Sequence, residues 1–260
     1  MCRHLAYLGP AGPPVSLRSV LCDPPYALFR QAWAPRRQRY GRVNADGFGV
    51  GWYAGDDPIP ARYRRAVPMW ADPSFLDVAR VTRTTALLAA VRSATAGTAP
   101  DESAAAPYRR GRWLFSHNGM IEGWPASVAG PAGRLPAELL LDLEARTDSA
   151  LLWALTAHRL DGGATPGDAL AGAVAAVATE TGGRFNLLLT DGATIAATAY
   201  GDTLCYRVVD GSVVVASEPD DERGGWVDVP DRSVLVAVAG QVTVSAIPIP
   251  QPVPDRTEPS

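Results

Sequence analysis

From residue 184 onward the chain falls into short apolar runs, RFNLLLTDG, TIAATAYGD, LCYRVVDG, SVVVASEP, SVLVAVAG and QVTVSAIPI, punctuated by DG, GD, DG and G. Runs of this length with turn dipeptides between them predict strands joined as antiparallel hairpins. Upstream the period changes: DSALLWALTAHRL and GDALAGAVAAVATET place their apolar residues at helical spacing and predict two consecutive helices. The amino-terminal part reads largely as strand. CRHLAYLG is a strand closed by the breakers GPAGPP, and GFGVGWYA and ARYRRAVPMW are paired around GDDPIP. LDVARVTRTTALLAAVRSA starts as helix and finishes as a strand near Arg92, and RWLFSHNGMI is a strand ending in a tight Asn-Gly turn. YALFRQAW, behind Pro24 and Pro25, predicts a helix, and APRRQRYGRVNAD an arginine-rich loop. TAGTAPDESAAAPYRRG is a long small-residue loop, of a length usually tied to function. Strands, then helices, then strands without a linker predict one α+β domain of layered sheets over residues 2–250, with a disordered tail at 251–260.

Composition narrows the function more than the fold. At 260 residues and 47% hydrophobic content a sizeable core is possible, and a formal net charge of -3 creates no field that would gather nucleic acid or a membrane surface. All 24 basic residues are arginine, which removes lysine from every catalytic role. Cys2, Cys22 and Cys205 are odd in number, far apart and free of CxxC spacing, so neither a disulfide framework nor a zinc ribbon is expected, and a reducing cytoplasm is. No signal-like start is present and no apolar run approaches the roughly 18 residues that span a bilayer, which predicts a soluble, unexported protein. No His/Asp/Glu cluster has ligand spacing, so no metal and no cofactor are expected.

The candidate chemistry starts at Cys2. If an aminopeptidase removes Met1, this residue carries a thiol beside a free α-amine, which titrates near ~8 and is partly neutral at physiological pH, so it can act as base to the thiol. GFGVGW superficially resembles a dinucleotide loop, but Trp52 and Tyr53 continue as strand where a helix is required. Gly47, Gly49 and Gly51 instead share one strand face and bare it to another backbone or a ligand. Asn118 and Gly119 either close a turn or offer a side-chain amide and a backbone N–H to one oxygen, as an oxyanion hole does. Arg92 is either solvated at a strand end or a bidentate clamp on a carboxylate. Asp148 is either a first-turn helix carboxylate or the counter-ion of a substrate ammonium. His117 receives no catalytic role, because Cys2 already has a base.

Taken together, the Met-Cys start, Arg92 to Thr95 (RSAT), His117 to Gly119 (HNG) and Thr147-Asp148, in that order, resemble the class II glutamine amidotransferases, which are N-terminal nucleophile hydrolases. The resemblance covers most of the chain. It implies a four-layer αββα sandwich of two mainly antiparallel sheets. It also implies Cys2 as nucleophile and base, Asn118 and Gly119 as oxyanion donors, and Arg92 and Asp148 as grips on a glutamyl α-carboxylate and α-ammonium, with Thr95 and His117 also on the substrate side. One departure is Ala150, where many members carry glutamate. NADGFGVGWY, GTAPDESAAAPYRRGRWLFSHNG and VASEPDDERGGWVDVPDRS resemble more closely the branch of ergothioneine biosynthesis that cleaves γ-glutamyl-hercynylcysteine sulfoxide. That implies a small-molecule γ-glutamyl substrate with a trimethylammonium in its leaving group. Two regions combine aromatic and acidic residues suited to it, GWYAGDD (Trp52, Tyr53, Asp56, Asp57) and SEPDDERGGW (Glu218, Asp220, Asp221, Trp226). The second, with Glu218 or a neighbouring aspartate facing the cation, is the expected contact. A glutaminase subunit feeding ammonia to a separate synthetase, and a non-catalytic glutamyl-binding scaffold, are the alternatives.

Overall fold

The computed structural model describes residues 2–55, 57–94 and 101–249. Asp56, Thr95 and the tail 251–260 lie outside the described residues, and with them the expectations placed there. In chain order the strands are β1 (Arg3–Leu8), β2 (Val15–Ser16), β3 (Phe48–Trp52), β4 (Ala61–Arg65), β5 (Arg83–Thr84), β6 (Ala86–Val91), β7 (Tyr108–Arg110), β8 (Trp113–Ile121), β9 (Gly183–Thr190), β10 (Ile195–Ala199), β11 (Cys205–Val209), β12 (Ser212–Ala216), β13 (Val227–Asp228), β14 (Ser233–Val238) and β15 (Gln241–Ala246). The helices are α1 (Leu17–Leu21), α2 (Leu28–Gln31), α3 (Pro73–Val81), α4 (Ala129–Gly133), α5 (Ala137–Leu141), α6 (Asp148–Asp161) and α7 (Pro166–Ala178). The strands form a seven-stranded sheet, β13-β11-β12-β1-β6-β3-β4, a six-stranded sheet, β15-β14-β10-β9-β8-β7, and the small pair β2-β5.

Strand alternation builds the layers. In β1, Ala6 and Leu8 point into a cluster shared with Leu88, Leu188, Ala197 and Leu235 of both sheets, while Leu5 and Tyr7 face Leu17, Leu28 and Phe75 on the other side. Phe115, Leu187 and Leu189 of the second sheet pack against Leu151, Leu155 and Val174 of α6 and α7. The result is helix, sheet, sheet, helix, with every residue of β1 and β6 buried. That is why ALLAAV reads as a continuous apolar run without alternation. Each fully buried leucine contributes about 1.5–3 kcal/mol, and the sheets are fixed by many such residues.

Local turn chemistry is realised where it was legible. Asp210 and Gly211 both take positive φ (49° and 77°) and close the β11–β12 hairpin as the DG pair predicts. The Asn-Gly turn at the end of β8 is not formed. β8 runs through it to Ile121, with Asn118 opposite Asn186 and Gly119 opposite Phe185 of β9. The reason is steric: a Cβ on Gly119 would sit 1.8 Å from the Arg184 carbonyl oxygen, so glycine here serves close strand packing. The bared face of β3 is likewise filled by protein. A Cβ on Gly49 would lie 2.3 Å from the Ala106 carbonyl, and one on Gly51 would lie 2.6 Å from Leu114.

Candidate active site

Cys2 sits at the entry to β1. β1 pairs antiparallel with β6 through Arg3 and Val91, so one further step of the register sets Arg92 beside Cys2. A cavity at this sheet end is lined by Cys2, Arg92, Tyr108, His117, Gly119, Thr147, Asp148 and Ser149, among others. Five elements separated by up to 147 residues of sequence thus converge on the cavity. Cys22 and Cys205 do not. Burial pushes the Cys22 thiol up to about 12 and raises that of Cys205, which removes both from thiolate chemistry at neutral pH.

Asp148 opens α6 behind the N-cap Thr147, whose hydroxyl accepts from Ala150 N. Its Oδ2 accepts from Ile121 N at 3.1 Å and its Oδ1 from Ser149 N at 2.8 Å, so two backbone amides hold it and no glutamate at position 150 is needed. Tyr108 Oη meets Thr147 Oγ1 at 3.1 Å, fixing the same corner. Arg92 is buried and donates to the Asp46 carbonyl, while Asp46 Oδ2 accepts from Ala94 N. The Asp46 end of the arginine-rich loop is thereby tied to the cavity wall.

His117 lines the cavity, with Nε2 2.9 Å from the Arg184 carbonyl and Nδ1 3.0 Å from Ser149 Oγ. A carbonyl can only accept, so Nε2 carries the proton and the Ser149 hydroxyl donates to Nδ1. Burial lowers the pKa of His117, and the ring stays neutral. Both ring nitrogens are thus engaged by protein groups, Ser149 and the Arg184 carbonyl.

Asn118 is turned differently from the expectation. Its Oδ1 accepts from Cys2 N at 3.1 Å, and its Nδ2 faces Asp202 Oδ2 at 3.4 Å and Ser217 Oγ at 3.5 Å. The side chain holds the Cys2 nitrogen and does not aim its donor into the cavity. Behind it lies a buried network that the sequence did not disclose. Asp202 pairs with Arg3 at 3.1 Å with both side chains fully buried, and Arg3 Nε donates to the Cys2 carbonyl at 2.9 Å. The one signal for it was an arginine inside the apolar run CRHLAYL, which demands a buried partner.

Glu218 is also placed elsewhere. Its Oε1 and Oε2 accept from the backbone N–H of Arg36 and Arg37 at 2.8 and 2.7 Å, and it does not line the Cys2 cavity. Each of its oxygens takes one backbone N–H, so the carboxylate pins the arginine-rich loop. Among the described residues no group of His, Cys, Asp and Glu is arranged to hold a metal, and no helix is long and apolar enough to cross a membrane.

Residues 22–209 match the profile of the class II glutamine amidotransferases. The chain belongs to that family. The γ-glutamyl-hercynylcysteine sulfoxide hydrolase of Mycobacterium tuberculosis is 43% identical over 249 residues, covering 95% of this chain and 97% of the relative. The enzyme of the same name from Mycolicibacterium smegmatis is 40% identical over 95% of this chain and 100% of its own. Among solved structures, a class II glutamine aminotransferase domain protein from Silicibacter pomeroyi superposes with a TM-score of 0.68 at 24% identity, over 95% of this chain and all of the other. The glutamine phosphoribosylpyrophosphate amidotransferase of B. subtilis superposes with 0.64 at 14% identity, over 96% of this chain and 50% of its own. This class II amidotransferase therefore has the N-terminal nucleophile hydrolase sandwich that the sequence motifs implied.

Proposed function

We propose that the protein hydrolyses the γ-glutamyl amide bond of γ-glutamyl-hercynylcysteine sulfoxide, releasing glutamate and hercynylcysteine sulfoxide. The observation that carries this reading is the convergence of Cys2, Arg92, Gly119 and Asp148 on one cavity, in a chain 40–43% identical along 95% of its length to hydrolases of that name.

After loss of Met1 the Cys2 α-amine takes the thiol proton, and the thiolate attacks the γ-carbonyl. Asn118 Oδ1 keeps the amine in place and its lone pair toward the sulfur. The Gly119 N–H stabilises the oxyanion. The ammonium then gives its proton to the leaving nitrogen as the C–N bond breaks. Water attacks the γ-glutamyl thioester, the amine takes and returns its proton, and thiol and glutamate are regenerated. Arg92 and Asp148 hold the glutamyl α-carboxylate and α-ammonium, and binding these remote charges positions the carbonyl. Residues 2–250 act as one domain, and three unpaired cysteines fit a cytoplasmic enzyme.

Comparing glutamate release from γ-glutamyl-hercynylcysteine sulfoxide and from glutamine tests the assignment. A kcat/KM at least about 100-fold higher for the former is expected, equivalent to about 2.7 kcal/mol of transition-state discrimination. Equal or inverted preference favours the glutaminase reading.

A further inference from the structure

Resting on the reading above, one guanidinium on the amine side of Cys2 remains without a hydrogen-bond acceptor among the described residues. The α-amine must hand its proton to the leaving nitrogen, so the leaving group lies on the side of the nucleophile where Asn118 holds that amine. Asn118 pairs with Asn186 on β9, and residues two apart on a strand share a face. Arg184 is therefore the next side chain on that face, roughly 7 Å along the strand.

Among the described arginines, Arg184 is set apart by its Nε. Its Nε is buried without an acceptor, and among the described residues no oxygen accepts from its guanidinium and no carboxylate pairs with it. The group lies over the Tyr40 ring, 4.3 Å from the centroid, with its stem against Gly201. The guanidinium is not part of the Cys2 cavity wall, but its charge acts on His117, which is, and a stacked guanidinium with uncommitted donors is suited to receive a planar anion edge-on. The cleaved amide of a γ-glutamyl-cysteinyl compound has a cysteinyl nitrogen, and the carbon bearing that nitrogen also bears a carboxylate. Glutamine offers none, since its leaving group is ammonia.

We propose that Arg184, backed by Tyr40, binds the carboxylate adjacent to the leaving nitrogen and so selects substrates whose leaving group is an amino acid. Tyr40 belongs to the arginine-rich loop that Glu218 pins at Arg36 and Arg37, which gives Glu218 a positioning role in the same subsite.

The test compares γ-glutamylcysteine with γ-glutamylcysteamine, which differ only in that carboxylate. Wild-type enzyme is expected to favour γ-glutamylcysteine by about 10–100-fold in kcat/KM, the range of one charge-assisted hydrogen-bonding pair. Arg184→Met should remove that preference while leaving γ-glutamylcysteamine within about threefold of wild type, and Arg184→Lys should restore part of it. Parallel loss on both substrates, or no wild-type preference, overturns the proposal, and the wild-type comparison decides even where a variant is unstable. Failure of the wild type to release glutamate from either compound would instead overturn the γ-glutamyl hydrolase reading itself.

Discussion

Replacing Asp202 by asparagine keeps the shape of the side chain and removes its charge. In the wild type Asp202 Oδ2 lies 3.1 Å from Arg3 Nη2, both side chains are 0% exposed, and the same oxygen faces Asn118 Nδ2. Asp202→Asn therefore leaves the Arg3 guanidinium as a buried cation facing a neutral amide. Removing one partner of a buried ion pair costs about 3–5 kcal/mol, a large part of the roughly 5–15 kcal/mol that holds a folded chain together. Urea denaturation should show a lower midpoint at unchanged m-value, with a fall in Tm of about 6–20 °C. Arg3→Met combined with Asp202→Leu removes both charges and should recover part of that stability, because no buried charge is left unpaired, while the Cys2 carbonyl, the Asn118 amide and Thr203 N each lose a partner. The Asn118 amide loses its anchor as well, so kcat of Asp202→Asn should fall more than stability alone explains at a temperature where the variant stays folded. A destabilisation below about 1 kcal/mol, or a double variant no better than the single one, would refute the reasoning.

Gly119→Ala forces a methyl to within 2.5 Å of His117 Nε2 and 1.8 Å of the Arg184 carbonyl, parting β8 from β9 at the oxyanion position. Its kcat should drop about 10²–10³-fold, and unchanged kcat with altered KM would contradict the assignment. His4 is kept neutral, its pKa lowered by burial from 6.5 to about 3, whereas the unfolded chain takes up that proton below 6.5. The unfolded state thus binds more protons between pH 3 and 6.5, and stability declines as pH falls through that window, by about 1.4 kcal/mol at pH 5.5. Denaturant titrations at pH 7.5 and 5.5 should find His4→Gln losing less than wild type by that amount, and identical losses would count against it. Arg92→Lys and Asp148→Asn should lower kcat/KM about 10–100-fold for every γ-glutamyl substrate alike, and steady-state kinetics that spared one substrate would exclude a glutamyl-end role.

Legibility in the sequence followed the range of the interaction. The β11–β12 hairpin could be read because Asp210 and Gly211 carry their own backbone preference, and α6 because its apolar spacing and the Thr147 cap are local. The Asn118-Gly119 step was misread as a turn because the deciding contact, the Arg184 carbonyl, lies 65 residues further on. The Arg3–Asp202 pair spans 199 residues, and nothing near Asp202 marks it as buried. Glu218 shows the converse. An acidic residue in a loop at a strand end looks available, but its two oxygens were already needed by the Arg36 and Arg37 amides, which have no other partner in that loop's backbone. Cys2, Arg92 and Asp148, singled out by their motifs, are brought to one cavity by the strand register and the helix start.

The proposed hydrolysis turns on Cys2 as a nucleophile that carries its own base. Acid quenching of enzyme during turnover of γ-glutamyl-hercynylcysteine sulfoxide, followed by peptide mass mapping, reads this directly. A γ-glutamyl adduct on Cys2 of a chain lacking Met1, absent from Cys2→Ala and present in Cys22→Ala and Cys205→Ala, is the predicted result. An adduct on any other residue, or full turnover by a chain that retains Met1, would contradict it.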